Sequence, residues 1–167
     1  VHTLSFTITR RLELINSTIS GNSAANGGGL HVMTSTSYLT HTTIASNTSG
    51  VRVASGAAWA RATLLAYNAG GNCIGLLNNA GFSMSSDSTC GALQVDNPLL
   101  RPLALNGGQT LNHALPLGSP ALDKVPAAQC DALNDQRGVA RPQNSGCDAG
   151  AFELALTRVY LPRTIKP

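Results

Sequence analysis

Hydrophobic and polar positions alternate over short distances along the first half of the chain. Leu4-Phe6-Ile8, Leu12-Leu14 and Leu30-Val32 place an apolar residue at every second position, the period of a strand with one buried face. No comparable stretch shows the i, i+3, i+4, i+7 spacing of an amphipathic helix, and Gly27-Gly28-Gly29 interrupts any helical path. The strand-like segments recur. Leu14–Asn22 aligns with Leu39–Asn47 at a shift of 25 residues, from Ile19 to Ile44, and Ala62–Asn68 is a third copy shifted by 21. Between them Gly28-Gly29-Leu30-His31-Val32 matches Ser49-Gly50-Val51-Arg52-Val53, again shifted by 21. Each unit reads as a short strand, an Asn/Gly/Ser turn, a second short strand and another turn. A period in the low twenties is one coil of a parallel β-solenoid.

The repeat also fixes a position for asparagine. Asn22, Asn47 and Asn68 close successive copies, each three residues after an apolar Ile or Leu. Stacked amides there can hydrogen-bond along the solenoid axis, and Asn tolerates the left-handed backbone of a sharp corner. Ordinary turn asparagines, unaligned between coils, are the alternative.

From about Asp96 the pattern changes. DNPLLRPLALNGGQTLNHALPLGSPALDKVP is dense in Pro, Gly and Leu, and CDALNDQRGVARPQNSGCDAGAFE carries most of the acidic side chains. Proline is excluded from central strands, so residues 96–155 are expected to wrap over the end of a solenoid formed by 1–95, as a loop-rich cap of the same domain. Such a cap covers an end that otherwise exposes unpaired backbone. Residues 156–167 form a tail.

Composition narrows the class. Charged residues make up 11% and hydrophobic residues 43%, against roughly 25% charged in soluble domains generally; Ser, Thr, Asn and Gly supply the polarity, which suits sheets and turns. The net charge of +3 comes from scattered Arg residues, with no clustered basic surface for nucleic acid. No apolar stretch approaches the ~20 residues of a membrane-spanning helix. The four cysteines form two local pairs of equal spacing, flanked by Gly, Asn, Asp and Ser. They read as disulfides Cys73–Cys90 and Cys130–Cys147 in an oxidising compartment, without CxxC or Cys/His grouping for zinc; the alternative is four buried thiols.

Candidate chemistry is sparse. Glu13 is the only acidic side chain in the first 86 residues, so the regular coils cannot supply the paired carboxylates of polysaccharide cleavage. Glu13 beside Arg10 or Arg11 reads as a surface ion pair. In the cap, Asp135, Arg137, Arg141 and Asp148 read as turn and ion-pair residues that hold loops together, with a Ca²⁺ or sugar site as the competing interpretation. His113 has no evident triad partner, and His2, His31 and His41 read as outward polar residues. No cofactor is implied.

Two stretches resemble known families. NSTISGNSAANGGGL looks like the repeat of polymorphic outer-membrane-protein-like β-helix proteins. SSDSTC, DNPLL, LNGGQTLNHALPLGSPALD, DQRGVARPQ and CDAGAFE, in that order, are similar to the bacterial choice-of-anchor Q domain. The resemblance implies a right-handed parallel β-helix on a secreted or cell-surface protein, and carries no established activity or catalytic residue with it. The ending LTRVYLPRTIKP resembles the YLP-containing termini of some secreted bacterial proteins.

Together these features lead to an all-β parallel β-helix, with coils of about 21–25 residues, that serves as a non-catalytic extracellular structural or adhesion module. Self-association or upstream β-helix coils are its expected partners, with contact to a cell surface or polysaccharide as the further one. Because the chain opens inside a repeat, upstream coils or a second copy are expected to continue it. Leu4, Phe6 and Ile8 would then form the self-association edge of a head-to-tail filament. A carbohydrate-active enzyme with its site in the Asp-rich cap is the remaining alternative.

Overall fold

The computed structural model describes residues 10–155. The chain winds through about four coils, each contributing one strand to each of up to three parallel sheets. The first coil carries β1 (Arg10–Ile15), β2 (Thr18–Ser20) and β3 (Leu30–Val32), and the second β4 (Ser35–Thr40), β5 (Thr43–Ala45) and β6 (Val51–Val53). The third carries β7 (Gly56–Arg61), β8 (Leu64–Ala66) and β9 (Cys73–Ile74). The last holds β10 (Leu77–Asn79) and β11 (Met84–Ser85), beyond which β12 (Gln94–Val95) adds one further strand to the stack. The first sheet runs β1-β4-β7-β10, the second β2-β5-β8-β11-β12, and the third β3-β6-β9.

The register follows the sequence repeat. Leu14 pairs with Leu39, Ile19 with Ile44 and Ile44 with Leu65, while Leu30 pairs with Val51. The longer first shift is absorbed in the turn 21–29, whose counterpart in the next coil is only 46–50. A coil holds three strands where the sequence pattern suggested two. The reason is a single left-handed residue that splits each long apolar stretch: Asn16 (φ 48°), His41 (φ 45°) and Ala62 (φ 48°) occupy equivalent corners. A second left-handed corner stacks as Gly21, Ser46 and Tyr67. The ladder asparagines follow that corner rather than forming it.

Inside the coils, Leu14, Leu39, Ala58 and Ala60 face Ile19, Ile44 and Leu65, with Val32, Val51 and Cys73 closing the third side. The end of this core is sealed by residues 86–95. A 3₁₀ turn at Ser88–Cys90 joins Cys90 to Cys73 by a disulfide, and Leu93 fills the remaining space.

The region after Asp96 therefore does not cap the solenoid. It lies against its side, over the outer face of the second sheet. Strands β5 and β8 are buried at every position, which happens when a parallel sheet is covered on both faces. Ile44 and Leu65 point inward. Leu64 and Met84 point outward into a second core with Leu115, Ala121, Ala149 and Phe152. The covering segment includes two short antiparallel ladders, β13 (Leu103–Ala104) with β14 (Asn112–His113) and β15 (Val125–Pro126) with β16 (Gly146–Cys147). Its second disulfide, Cys130–Cys147, borders a small cluster with Ala62, Phe82 and Val125. Hydrogen bonds tie the cover to the third, second and first coils: Tyr67 Oη donates to Asn97 Oδ1, Ala151 N donates to Thr43 Oγ1, and Asn16 Nδ2 donates to Asn134 O.

Candidate functional site

Three places carry enough chemistry to be weighed: the ionic cluster in the cover, a Ser–His contact between cover and first coil, and the bare outer face of the first sheet.

The cluster is built around Glu153, which the sequence pattern did not single out. Glu153 is buried, accepts hydrogen bonds from the backbone amides of Gln143 and Asp148, and pairs with Arg141 at 2.7 Å. Arg141, also buried, donates to the carbonyls of Asp148 (2.8 Å) and Gly150 (2.7 Å). Asp148 does not pair with an arginine side chain. Its carboxylate accepts the amides of Asp123 and Leu154 at 2.8 and 2.7 Å. Asp135 accepts the amides of Arg137, Val139 and Glu153 and pairs with Arg137 at 2.7 Å, whose guanidinium lies 3.7 Å from the Phe152 ring centre. Each carboxylate thus organises a turn by gathering backbone donors.

Burial sets the ionisation of this group. It raises the Asp148 carboxyl to about 7, helped by the Glu153 charge and opposed by the Leu154 and Asp123 amides and Arg141. Burial also raises Glu153, against the pull of two amides and Arg141, and lowers Arg141.

His41, expected to face outward, is fully buried between the solenoid corner and the cover. Its Nδ1 lies 3.1 Å from Asp148 O and its Nε2 3.2 Å from Asp131. Burial, then the Arg141 charge, pushes His41 down to about 4 despite Asp131. Asp131 in turn pairs with Arg61; burial works to raise it, but Arg61 and His41 outweigh that and hold it below its ordinary value. The corner residue of the coil is thereby tied to the cover.

His113 has a partner that only the fold brings to it. Its Nε2 lies 2.8 Å from Ser20 Oγ and its Nδ1 2.7 Å from Arg101 O. With Nδ1–H donating to the carbonyl, Nε2 accepts the Ser20 hydroxyl proton, the relation of a nucleophile to its base. Its Nδ1 faces the Arg101 carbonyl rather than the carboxylate of a Ser-His-Asp arrangement, and His113 is buried.

The asparagine ladder is continuous. Asn47 Oδ1 accepts Asn22 N and Nδ2 at 2.9 and 3.1 Å, and Asn68 Oδ1 accepts Asn47 N and Nδ2, both at 3.0 Å. Asn72 adds a rung four residues later: its Oδ1 accepts Asn68 Nδ2 at 2.8 Å, and its own amide N donates to Asp87.

Among the described residues, nothing covers the outer side of the first sheet in the same way. Its middle outward row is Glu13, Tyr38, Trp59 and Asn78, paired rung to rung. A cleft of about 170 Å³ beside Tyr38 is lined by Arg11, Glu13, Ile15 and Thr40. A second groove, of about 430 Å³, lies among Tyr67, 99–102 and 116–117. Neither is lined by Ser20, His113 or the buried acids. Among the described residues no group of three His, Cys, Asp or Glu side chains is placed to hold a metal ion, and no helix is long and apolar enough to cross a membrane. Leu4, Phe6 and Ile8, the expected self-association edge, lie outside the described residues. Comparison of the chain with family models, curated proteins and solved structures returned no match.

Proposed function

We propose that the chain is a non-catalytic structural or adhesion module of the extracellular space or cell surface, the role its resemblance to choice-of-anchor Q and polymorphic outer-membrane-protein-like β-helices implies. The observation that carries this reading is the use to which the acids are put. Asp135, Asp148 and Glu153 each accept at least two backbone amides inside the cover and line neither cleft. A glycosidase or lyase needs its carboxylates free at a substrate-sized opening. The two disulfides suit an oxidising, non-cytoplasmic compartment, and parallel coils with a covered second sheet suit a stiff spacer.

Two experiments test it. Purified chain is incubated with ester substrates, a serine-reactive fluorophosphonate, and neutral and acidic polysaccharides with and without Ca²⁺. The expected result is neither labelling nor turnover. Labelling at Ser20 with turnover lost in Ser20→Ala, or new reducing ends lost in Asp135→Asn, would overturn the non-catalytic reading. Antibody labelling of intact producing cells and assay of the medium then locate the protein; a purely cytoplasmic pool would overturn the extracellular one.

A further inference from the structure

We infer that the outer face of the first sheet is a binding strip for a neutral β-linked polysaccharide lying along the solenoid axis. The inference deepens the module reading above and rests on it for the setting in which such a polymer is met.

Four observations point to this ligand. First, Tyr38 and Trp59 are register partners on adjacent parallel strands, so their side chains repeat at the strand spacing of about 4.8 Å. That is close to the advance per sugar of an extended β-linked chain, so successive rings of one polymer meet successive rungs. Second, Trp59 is 40% exposed on a face where the cover contributes nothing to the central row. An aromatic ring face carries partial negative charge, and the C–H face of a sugar with equatorial hydroxyls carries partial positive charge.

Third, polar groups flank the aromatics. Glu13 continues the row on one side and Asn78 on the other, with Thr36 and Thr40 beside Tyr38 on the same strand. The 170 Å³ cleft between Arg11, Glu13, Tyr38 and Thr40 is of the size of a single hexose ring and offers it a donor, an acceptor and a hydroxyl. Fourth, the charges cancel. Arg11 is paired with Glu13 and rests 4.5 Å from the Tyr38 ring centre, and the Arg61 guanidinium is turned to Asp131 and Gln129 O. The strip has no unpaired cation in its rows to favour a polyanion.

Trp59 is the only tryptophan of the chain, so its fluorescence reports occupancy of the strip directly. The intact chain is titrated with cellohexaose, chitohexaose and hexagalacturonate. A saturable change with a neutral oligosaccharide and none with the uronate is expected. Tyr38→Ala should weaken binding by about tenfold while the protein stays folded at the titration temperature, and Trp59→Ala, followed by calorimetry, should abolish it. Leu117→Ala, in the other groove, should bind as the parent does. The inference is overturned by no saturable change with either neutral ligand at millimolar concentration, by preference for hexagalacturonate, or by unchanged affinity in Tyr38→Ala. Cleavage of the bound oligosaccharide would remove the non-catalytic reading and leave the strip standing; absence of both binding and cleavage would remove the strip and leave that reading intact.

Discussion

At the scale of single residues, the decisive feature is a pair of buried groups whose ionisation shifts oppose each other. Asp148 rises from an ordinary 3.8 to about 7, so it contributes stability that is full below pH 3.8 and lost as pH climbs to 7. His41 falls from 6.5 to about 4, so its contribution is present above pH 6.5 and lost as pH falls toward 4. Glu153 is raised and acts with Asp148; Asp131 is lowered and acts only at the acid end. Between pH 4 and 6.5 the slopes of His41 and Asp148 oppose each other. Asp148→Asn removes one of them while keeping an oxygen for the Leu154 or Asp123 amide. Relative to the parent, this variant should gain stability as pH rises through the window, at up to about 1.4 kcal/mol per pH unit. Urea midpoints measured at several pH values give the difference directly. A difference that does not vary with pH would mean that Asp148 takes up no proton on folding.

At the scale of elements, the asparagine ladder shows what a repeat can and cannot reveal. Asn47 is buried between two rungs; its side chain accepts from Asn22 and donates to Asn68 and to Ile19 O. Asn22 is exposed and is the first rung among the described residues. Asn47→Ala strands the Asn22 amide donors and leaves the Ile19 carbonyl and Asn68 Oδ1 each short of a donor, and is expected to cost about 3 kcal/mol, with Asn22→Ala costing under about 1 kcal/mol. Denaturant unfolding of the two variants measures both, and equal costs would show that the ladder is not cooperative along the axis. The positions of Asn22, Asn47 and Asn68 were legible because each coil reuses one corner at a fixed shift. Asn72 was not, because its rung comes from within the same turn as Asn68. His41 was misread for a related reason: alternation assigns it outward, and it does point out of the coil, but the cover that buries it joins from 90 residues away at Asp131. Glu153 and the Ser20–His113 contact were equally hidden, since nothing in the local pattern around either partner announces the other.

At the scale of the whole molecule, the position of the cover makes the two halves one folding unit. Leu64 and Met84 lie outside the coils, and their burial depends on Leu115, Ala121, Ala149 and Phe152 from the cover. A cap over the solenoid end could be lost with local fraying; a cover over the second sheet cannot, because its loss exposes an apolar face along the coils. Gly150 is a point of close approach in that contact. Its amide donates to Ala62 O at 2.7 Å, its φ is 89°, and a Cβ there would meet Leu64 Cδ1 and Thr43 Oγ1 at 2.7 Å each. Gly150→Ala therefore combines left-handed backbone cost with a clash, and about 3 kcal/mol is expected. The loss should appear equally in both halves. Trp59 fluorescence follows the solenoid, and hydrogen exchange at the Ala151 and Leu154 amides follows the cover; in the parent the two should report one opening free energy, and in Gly150→Ala both should fall together. If the cover amides lost protection while the fluorescence transition stayed where it was, the second sheet would be stable without its cover. Residues 96–155 would then be an appendage rather than part of the core.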